Sequence, residues 1–553
     1  MPASRQAAGA ESPIAGAAAL DKAFALVDRI AAASVPPTAA ELGSATGLPR
    51  STLFRLLAAL EARGYVRRDK RERGWRLGFR LFELAQGAWS GFDLNAAAKD
   101  EIARLPELTG ESVQLATLDG SDCVVVGGAD GTQAIRHAAT LGQRSAWPET
   151  AGGLALVAFS ESGTRSALLA AIPERGRGAL EASLELTRGR GYAVGAAAAD
   201  GVADVAAPVL DVRGIAAAAL AIAGPAYRLD DRRLHALAPV LMAAARRVSH
   251  NAGGTTWSLT PAARPGSPTR GLRTVDAADA LLGEAPYWSV REHVLYWVDM
   301  LRPALHRSNA PPRPLTRLAS TAVPRRRGGF ILVTPTGLHR FDSDDAVAST
   351  LLAHPEGGRP DQRYNDAKCD PRGRLVVGSL DTAGRQGLGS LWRVDANGAA
   401  TQLDSGFTTA NGLAWSPDGT TLYFADSDPR IVYAYDYALT AGTLSRRRVF
   451  ATLPNDVKPD GLATDADGGL WVAVWDGWRI ERYSPDGRHT RTIRLPVPRP
   501  TSVAFGGADL TTLYITTARV RLDPESLASA PQSGALFAIE AGVRGTPVSA
   551  FAG

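Results

Sequence analysis

A chain of 553 residues with 45% hydrophobic and 21% charged side chains is long enough for several packed cores, and its composition excludes global disorder. The formal net charge of +5 is small for that length, so charged partners must be sought in local clusters. Cys123 and Cys369 are the only cysteines, too few for a disulfide framework or a thiolate zinc site, which points to a reducing, cytoplasmic setting. Residues 1–16 lack a basic stretch ahead of an apolar core and read as a flexible tail, not a signal peptide. The most apolar run, Gly214 to Ala226, is well short of the roughly 20 residues that a spanning helix requires, so no membrane partner is expected.

From Ala18 to Ala33 the apolar spacing is that of an amphipathic helix, broken by Val35-Pro36-Pro37. Thr38 and Glu41 form a capping box, the hydroxyl taking a free backbone N–H while the carboxylate reaches back, and a short helix follows to Thr46. Gly47 supplies the turn. Pro49 suits a first helical position because it has no N–H to lose, and Ser51 to Arg63 continues until Gly64. On this recognition helix Leu53, Leu56, Leu57 and Leu60 make a buried stripe, while Arg50, Ser51, Thr52 and Arg55 make a polar face able to reach phosphates and base edges.

YVRRDKRERGWRLG follows as two short strands about a turn, a basic wing. Between Arg63 and Arg80 there are eight Arg or Lys against two acids, a local net charge of +6 that the whole-chain +5 conceals. A charge run alone is ordinarily a solvated face. Beside a capped helix-turn-helix it marks a DNA-binding surface, with Arg67, Arg68, Lys70 and Arg71 as its wing contacts.

The stretches TAAELGSATGLPRSTLFRLLAALEARGYV, TAGGLALVAF from Thr150 and GVADVAAPVLDVRG from Gly201 resemble the IclR family of bacterial transcriptional regulators, over about residues 18–250. The resemblance implies a winged helix-turn-helix at 17–80 and an α/β effector-binding domain at 81–250. It also implies a small-molecule effector, and dimers or tetramers that set two recognition helices on a near-palindromic operator DNA. By that alignment Thr150, Asp204 and Ala206 are effector-pocket positions, although turns and caps need such polar residues equally. Asp204 stands where the family commonly has Cys, and Gly127-Gly128 where a YLDRVE-like strand is expected, departures that leave the effector's identity open. AAAALAIAGPA reads as a core strand.

Residues 251–271, NAGGTTWSLTPAARPGSPTRG, pile up Gly, Pro, Ser and Thr without apolar periodicity and read as a linker. Beyond it, six segments align on their first residues: Glu284, Ser320, Asn365, Asn411, Asp460 and Thr501, with starts 36, 45, 46, 49 and 41 residues apart. Each is an apolar strand, a Gly/Asp/Pro turn and a second β-rich strand, with enough chain left for a four-stranded blade. Repeats of this length predict an all-β six-bladed propeller over 272–553. Equivalent repeat positions are then equidistant from the axis, so the six oxygen-bearing first residues should face one another.

Turn preference accounts for part of such a column but poorly for Glu284. Two carboxylates and two amides converging on one axis call for a cation, and an all-oxygen shell suits Ca²⁺, Mg²⁺ or Mn²⁺, with zinc and ferrous iron also compatible. The motifs GEAPYWS, RYNDAKCDPRGR, NGLAWSPDGTTLYFADS, PDGLATDADGGLWVAVW and RPTSVAFGGADLTTLYITTAR resemble the gluconolactonase, senescence marker protein and luciferin-regenerating enzyme family. By that resemblance Glu284, Asn411 and Asp460 match ligands of one divalent metal, and Arg363 and Asn365 match substrate contacts. Ala285 and Ala367 stand where the family usually has Gly, and Cys369 follows in the same segment, changes that leave the ligands intact.

The resemblance implies sugar-lactone hydrolysis, in which Asp460 also takes a proton from the attacking water. Other nucleophile schemes lack support, since the eight histidines show no HExxH or paired spacing and no Ser sits in a GxSxG elbow. Two readings of the whole chain follow. In one, a DNA-binding regulator carries an active lactonase serving sugar-acid catabolism; in the other, the propeller is a non-catalytic lactone sensor. Intact ligand residues favour the first.

Overall fold

In the computed structural model the described residues are 18–33, 35–69, 74–81, 94–138, 140–195, 201–254, 266–342, 349–357, 359, 361–382 and 385–553. The chain divides into two compact units, Met1–Ala96 and Ala97–Gly553.

The first unit runs α1 (Ala18–Ala31), α2 (Ala39–Thr46), α3 (Arg50–Ala62), β1 (Val66–Arg68) and β2 (Trp75–Leu77). The capping box forms as the sequence predicts: Thr38 Oγ1 accepts from the Glu41 N–H at 3.3 Å, and the Glu41 carboxylate accepts from the Thr38 N–H at 2.8 Å. Gly47, at φ 62°, ends α2 in the left-handed region. Pro49 is the N-cap residue of α3 and lies outside the helix, with extended ψ of 140°. Leu26, Ile30, Leu42, Leu53, Leu57, Val66 and Trp75 share one small core. β1 and β2 pair antiparallel, Val66 opposite Leu77 and Arg68 opposite Trp75, and make the wing.

The second unit begins with most of α4 (Leu94–Thr109) and an antiparallel sheet built from β3 (Ser112–Asp119), β4 (Asp122–Ala129), β5 (Arg144–Ala146), β6 (Ala193–Val194), β7 (Val202–Leu210) and β8 (Ala216–Pro225), in the order β5-β4-β3-β8-β7-β6. Between β5 and β6 lie α5 (Ala151–Ala158), α6 (Ser162–Ala170) and α7 (Glu174–Arg190), and α8 (Asp231–Asn251) follows the sheet. Every residue of α5 is buried, and alanines at 206, 219 and 221 give it close access to the sheet. Strand alternation turns Leu220 and Ile222, also fully buried, to the other face.

The remaining chain forms six four-stranded sheets. Their first strands are Gly283–Ser289, Thr321–Pro324, Gln362–Cys369, Ala410–Trp415, Lys458–Thr464 and Pro500–Gly506. Each of these packs on its successor and the sixth packs on the first, so they close a ring and the sheets radiate as propeller blades. The clasp is β9 (Arg273–Asp276), which pairs antiparallel with Leu536–Glu540 and completes the sixth blade from the opposite end of the sequence.

Within this unit α7 lies against the ring. Arg190 Nε donates to the Leu301 carbonyl at 2.7 Å, Arg188 Nη2 to the Thr382 carbonyl at 2.6 Å, and Arg521 Nη2 of the ring to the Arg188 carbonyl at 2.8 Å. Arg165 of α6 pairs with Asp361 at 3.0 Å. A glycine inside a helix costs roughly 0.5–1 kcal/mol against alanine, yet α7 carries Gly189. A Cβ there would meet the buried Leu301 Cδ2 at 2.5 Å, so an alanine at this position would require that leucine to shift.

Candidate functional site

The chemistry of the ring gathers where its innermost strands lose register. The pairing is interrupted between Glu284 and Tyr287, Tyr364 and Ala367, Ala410 and Leu413, and Pro459 and Leu462. Glu284, Asn365, Asp366, Asn411 and Asp460 all lie in or beside these gaps, where a bulge re-aims side chains that a regular ladder would send to alternate faces. Ala285 takes φ 49°, a conformation that costs a non-glycine residue roughly 1–2 kcal/mol. At Gly412 a Cβ would lie 2.2 Å from the Asp460 carbonyl oxygen, so only glycine lets these two inner strands approach.

Asp460 is 4% exposed, and its Oδ1 has no hydrogen-bond partner among the described residues. Burial, then the charge of Asp366, push its carboxyl well above the usual range, and a hydrogen bond from Asn411 pulls the other way. Glu284 is raised likewise, first by burial, then by Asp460 and Asp366, against the attraction of Arg363. Asn411 Nδ2 donates to Ser427 Oγ at 3.1 Å. These groups fit a hard cation: a buried carboxylate oxygen is unanswered, neighbouring acids repel, and the donors are all oxygen. Among the described residues no group of three His, Cys, Asp or Glu is placed to hold a metal ion, and the amide of Asn411 stands beside the two acids.

Two members of the expected column do not join it. Ser320 Oγ donates to the Asn365 carbonyl at 2.6 Å, and Thr501 Oγ1 donates to the Gly283 carbonyl at 2.5 Å, each stitching its blade to the next. Asn365 does the same with Nδ2 on the Ala410 carbonyl at 2.9 Å, while its Oδ1 accepts from Arg363 at 3.0 Å. Asp366 was not in the column, yet its charge acts on both Glu284 and Asp460. Its signal was the doubled Asn-Asp at one blade start. Ala367 and Cys369 are packed in the core with Val323 and Val377.

Arg363 leads out of this cluster. It faces Glu284 on one side and Glu185 of α7 on the other, and it lines a 620 Å³ cavity between α7 and the ring. A second cavity, of 130 Å³, lies in the α/β domain and is lined by both Thr150 and Asp204, beside Cys123, His137 and Gln114. Thr150 Oγ1 accepts from the Gly153 N–H at 3.0 Å and Asp204 Oδ2 from the Ala151 N–H at 2.8 Å, so both also cap α5. Burial pushes the Cys123 thiol up to about 11. Ala206 is buried in the sheet core.

On α3, Arg50, Ser51 and Arg55 are exposed and Thr52 is half-buried, opposite the buried Leu53 and Leu57. Arg67 and Arg68 are exposed on β1, over the rings of Phe79 and Trp75. Lys70 and Arg71 lie outside the described residues.

The profile of the SMP-30/Gluconolactonase/LRE-like region matches residues 282–519. Those of the IclR helix-turn-helix domain and the bacterial transcriptional regulator IclR C-terminal domain match 19–70 and 86–250. A 6-deoxy-6-sulfogluconolactonase of Pseudomonas putida is 39% identical over 292 residues, 51% of this chain and 99% of that protein. Regucalcin of Danio rerio is 32% identical over 283 residues, 49% of this chain and 95% of that protein. Among solved structures, a calcium-binding regucalcin from Agrobacterium tumefaciens aligns with a TM-score of 0.48 at 28% identity, covering 50% of this chain and 96% of that one. The IclR of Thermotoga maritima aligns with a TM-score of 0.36 at 26% identity, covering 42% and 98%.

Proposed function

Because this chain belongs to the SMP-30/gluconolactonase/LRE-like family in its C-terminal half and carries the IclR helix-turn-helix and C-terminal domains before it, we propose a bifunctional protein, an operator-binding regulator joined to a metal-dependent sugar-lactone hydrolase of sugar-acid catabolism. The observation that carries the enzymatic half is the unanswered Asp460 Oδ1 beside Glu284 and Asn411.

Glu284, Asn411 and Asp460 would hold one divalent ion, which when bound supplies electrophilic stabilisation of the negative charge that develops on a lactone carbonyl oxygen. Asp460 takes the proton of the attacking water. Arg363, oriented by Asn365 Oδ1, holds the ring oxygen or hydroxyls of the sugar. Asp366 tunes both acids through its charge. In the regulatory half, Arg50, Ser51, Thr52 and Arg55 enter a major groove, the wing bases meet phosphates, and a dimer or tetramer spans a near-palindrome. Thr150 and Asp204 border the effector cavity.

A lactone panel on the full chain, with added divalent metals and with chelator, tests the enzyme. Metal-dependent opening of at least one sugar lactone is expected, and binding without turnover would leave a lactone sensor instead. A salt-dependent gel shift tests the regulator, with operator binding lost in Arg50→Ala/Arg55→Ala. Unchanged binding would sink the recognition-helix assignment.

A further inference from the structure

The 620 Å³ cavity is not a property of the ring alone. Its floor includes Gln362, Arg363 and Leu380, and its roof is a stripe of α7, Glu181, Glu185 and Arg188, spaced i, i+4, i+7 on one helix face. Three of its guanidiniums, Arg177, Arg188 and Arg363, form no close ion pair with a carboxylate among the described residues, and Arg177 is taken up by the carbonyls at the end of α6. Arg188 donates to the Thr382 carbonyl, and Arg363 donates to the Tyr364 carbonyl and to Asn365 Oδ1, both at 3.0 Å. Burial drags each of them down to about 10. By contrast Arg165 is paired with Asp361, and Arg359 with Glu356 at 3.4 Å. Glu185 receives no hydrogen bond among the described residues, and burial pushes it up to about 7 against the attraction of Arg363.

A desolvated guanidinium without a hydrogen-bonded carboxylate is incompletely compensated, and its planar fork fits an oxyanion with two parallel hydrogen bonds. Half-buried cations on opposite walls of a roomy cavity are therefore placed for an anionic ligand, and one wall adjoins Glu284 through Arg363.

We infer that this composite cavity binds a sugar lactone carrying a remote tetrahedral oxyanion, sulfonate or phosphate, with Arg188 of α7 holding that group while the ring lies against Arg363. The lactone end of the ligand rests on the hydrolase reading; the anion end rests on the cavity. Substrate selection then belongs to a helix of the α/β domain, and the ring by itself would lack it.

The test is calorimetric titration of the full chain with glucose, 6-deoxy-6-sulfoglucose and glucose 6-phosphate, cyclic stand-ins that cannot be hydrolysed. At least one charged sugar should bind about 10-fold or more tighter than glucose, and the better of the two identifies the oxyanion. Arg188→Ala should bring that ratio to about 1–2, Arg188→Lys should restore part of it, and Glu185→Gln should tighten the charged sugar. Opposite signs at two positions on one helix stripe cannot come from a damaged helix. Equal binding of all three sugars by the unmodified chain would overturn the inference, as would Arg188→Ala and Glu185→Gln weakening all three alike. A charged-sugar preference in a chain that opens no lactone removes the hydrolase reading and keeps the anion site. Efficient opening of neutral lactones without that preference does the reverse.

Discussion

The small cavity in the α/β domain is lined by no arginine and the large one under α7 by six, and their polar groups also stand in different states. In the first, Thr150 and Asp204 both cap the N-terminus of α5. In the second, among the described residues, Arg188 and Arg363 hydrogen-bond no carboxylate and Glu185 has no donor, and beyond Arg363 lies the unanswered Asp460 Oδ1. A buried polar group without a partner signals something still to be bound, and among the described residues the small cavity has one as well, Gln114 Nε2.

The contrast can be broken most severely at Asp460. Asp460→Asn should lower lactone hydrolysis by about 10²–10⁴-fold in steady-state assays while the chain stays folded, and full activity would remove the proton-accepting role. In the other cavity Asp204→Ala should act on stability, costing about 1–2 kcal/mol in denaturant unfolding because the α5 N-terminus loses its anionic cap. A smaller effect separates the cavities by pH. Glu185 is uncharged below about 7 and ionised above it, facing Arg363, Arg188 and Arg165 and the like charge of Glu181. Affinity for a sulfonated sugar, whose own charge is constant, should therefore fall a few-fold as pH rises through 7, and Glu185→Gln should flatten that profile. Least of all, Ala285→Gly should gain about 0.5 kcal/mol, since relief of the left-handed φ exceeds the added chain entropy only slightly.

What could be read in the sequence was whatever repeats or caps locally. The helix-turn-helix came from a capping box and a leucine stripe, and the ring from six segments of similar length. Ser320 and Thr501 spend their hydroxyls on blade-to-blade hydrogen bonds, a use of a blade start that sequence alone does not separate from a ligand's. Asp366 was missed because alignment on one position assigns one residue per blade, whereas the register break between Tyr364 and Ala367 presents two. The roof of the large cavity left almost no trace, since Arg188 and Thr382 lie 194 residues apart and share no local pattern.

One trace was there, in Gly189. A helix whose neighbours 188 and 190 bond to the ring while Leu184 and Thr187 are buried in the domain of origin answers to two selective pressures at once. Exchanging either half for a homologous domain at the linker would break the bonds of 188 and 190 to the ring unless α7 and its partners were exchanged together.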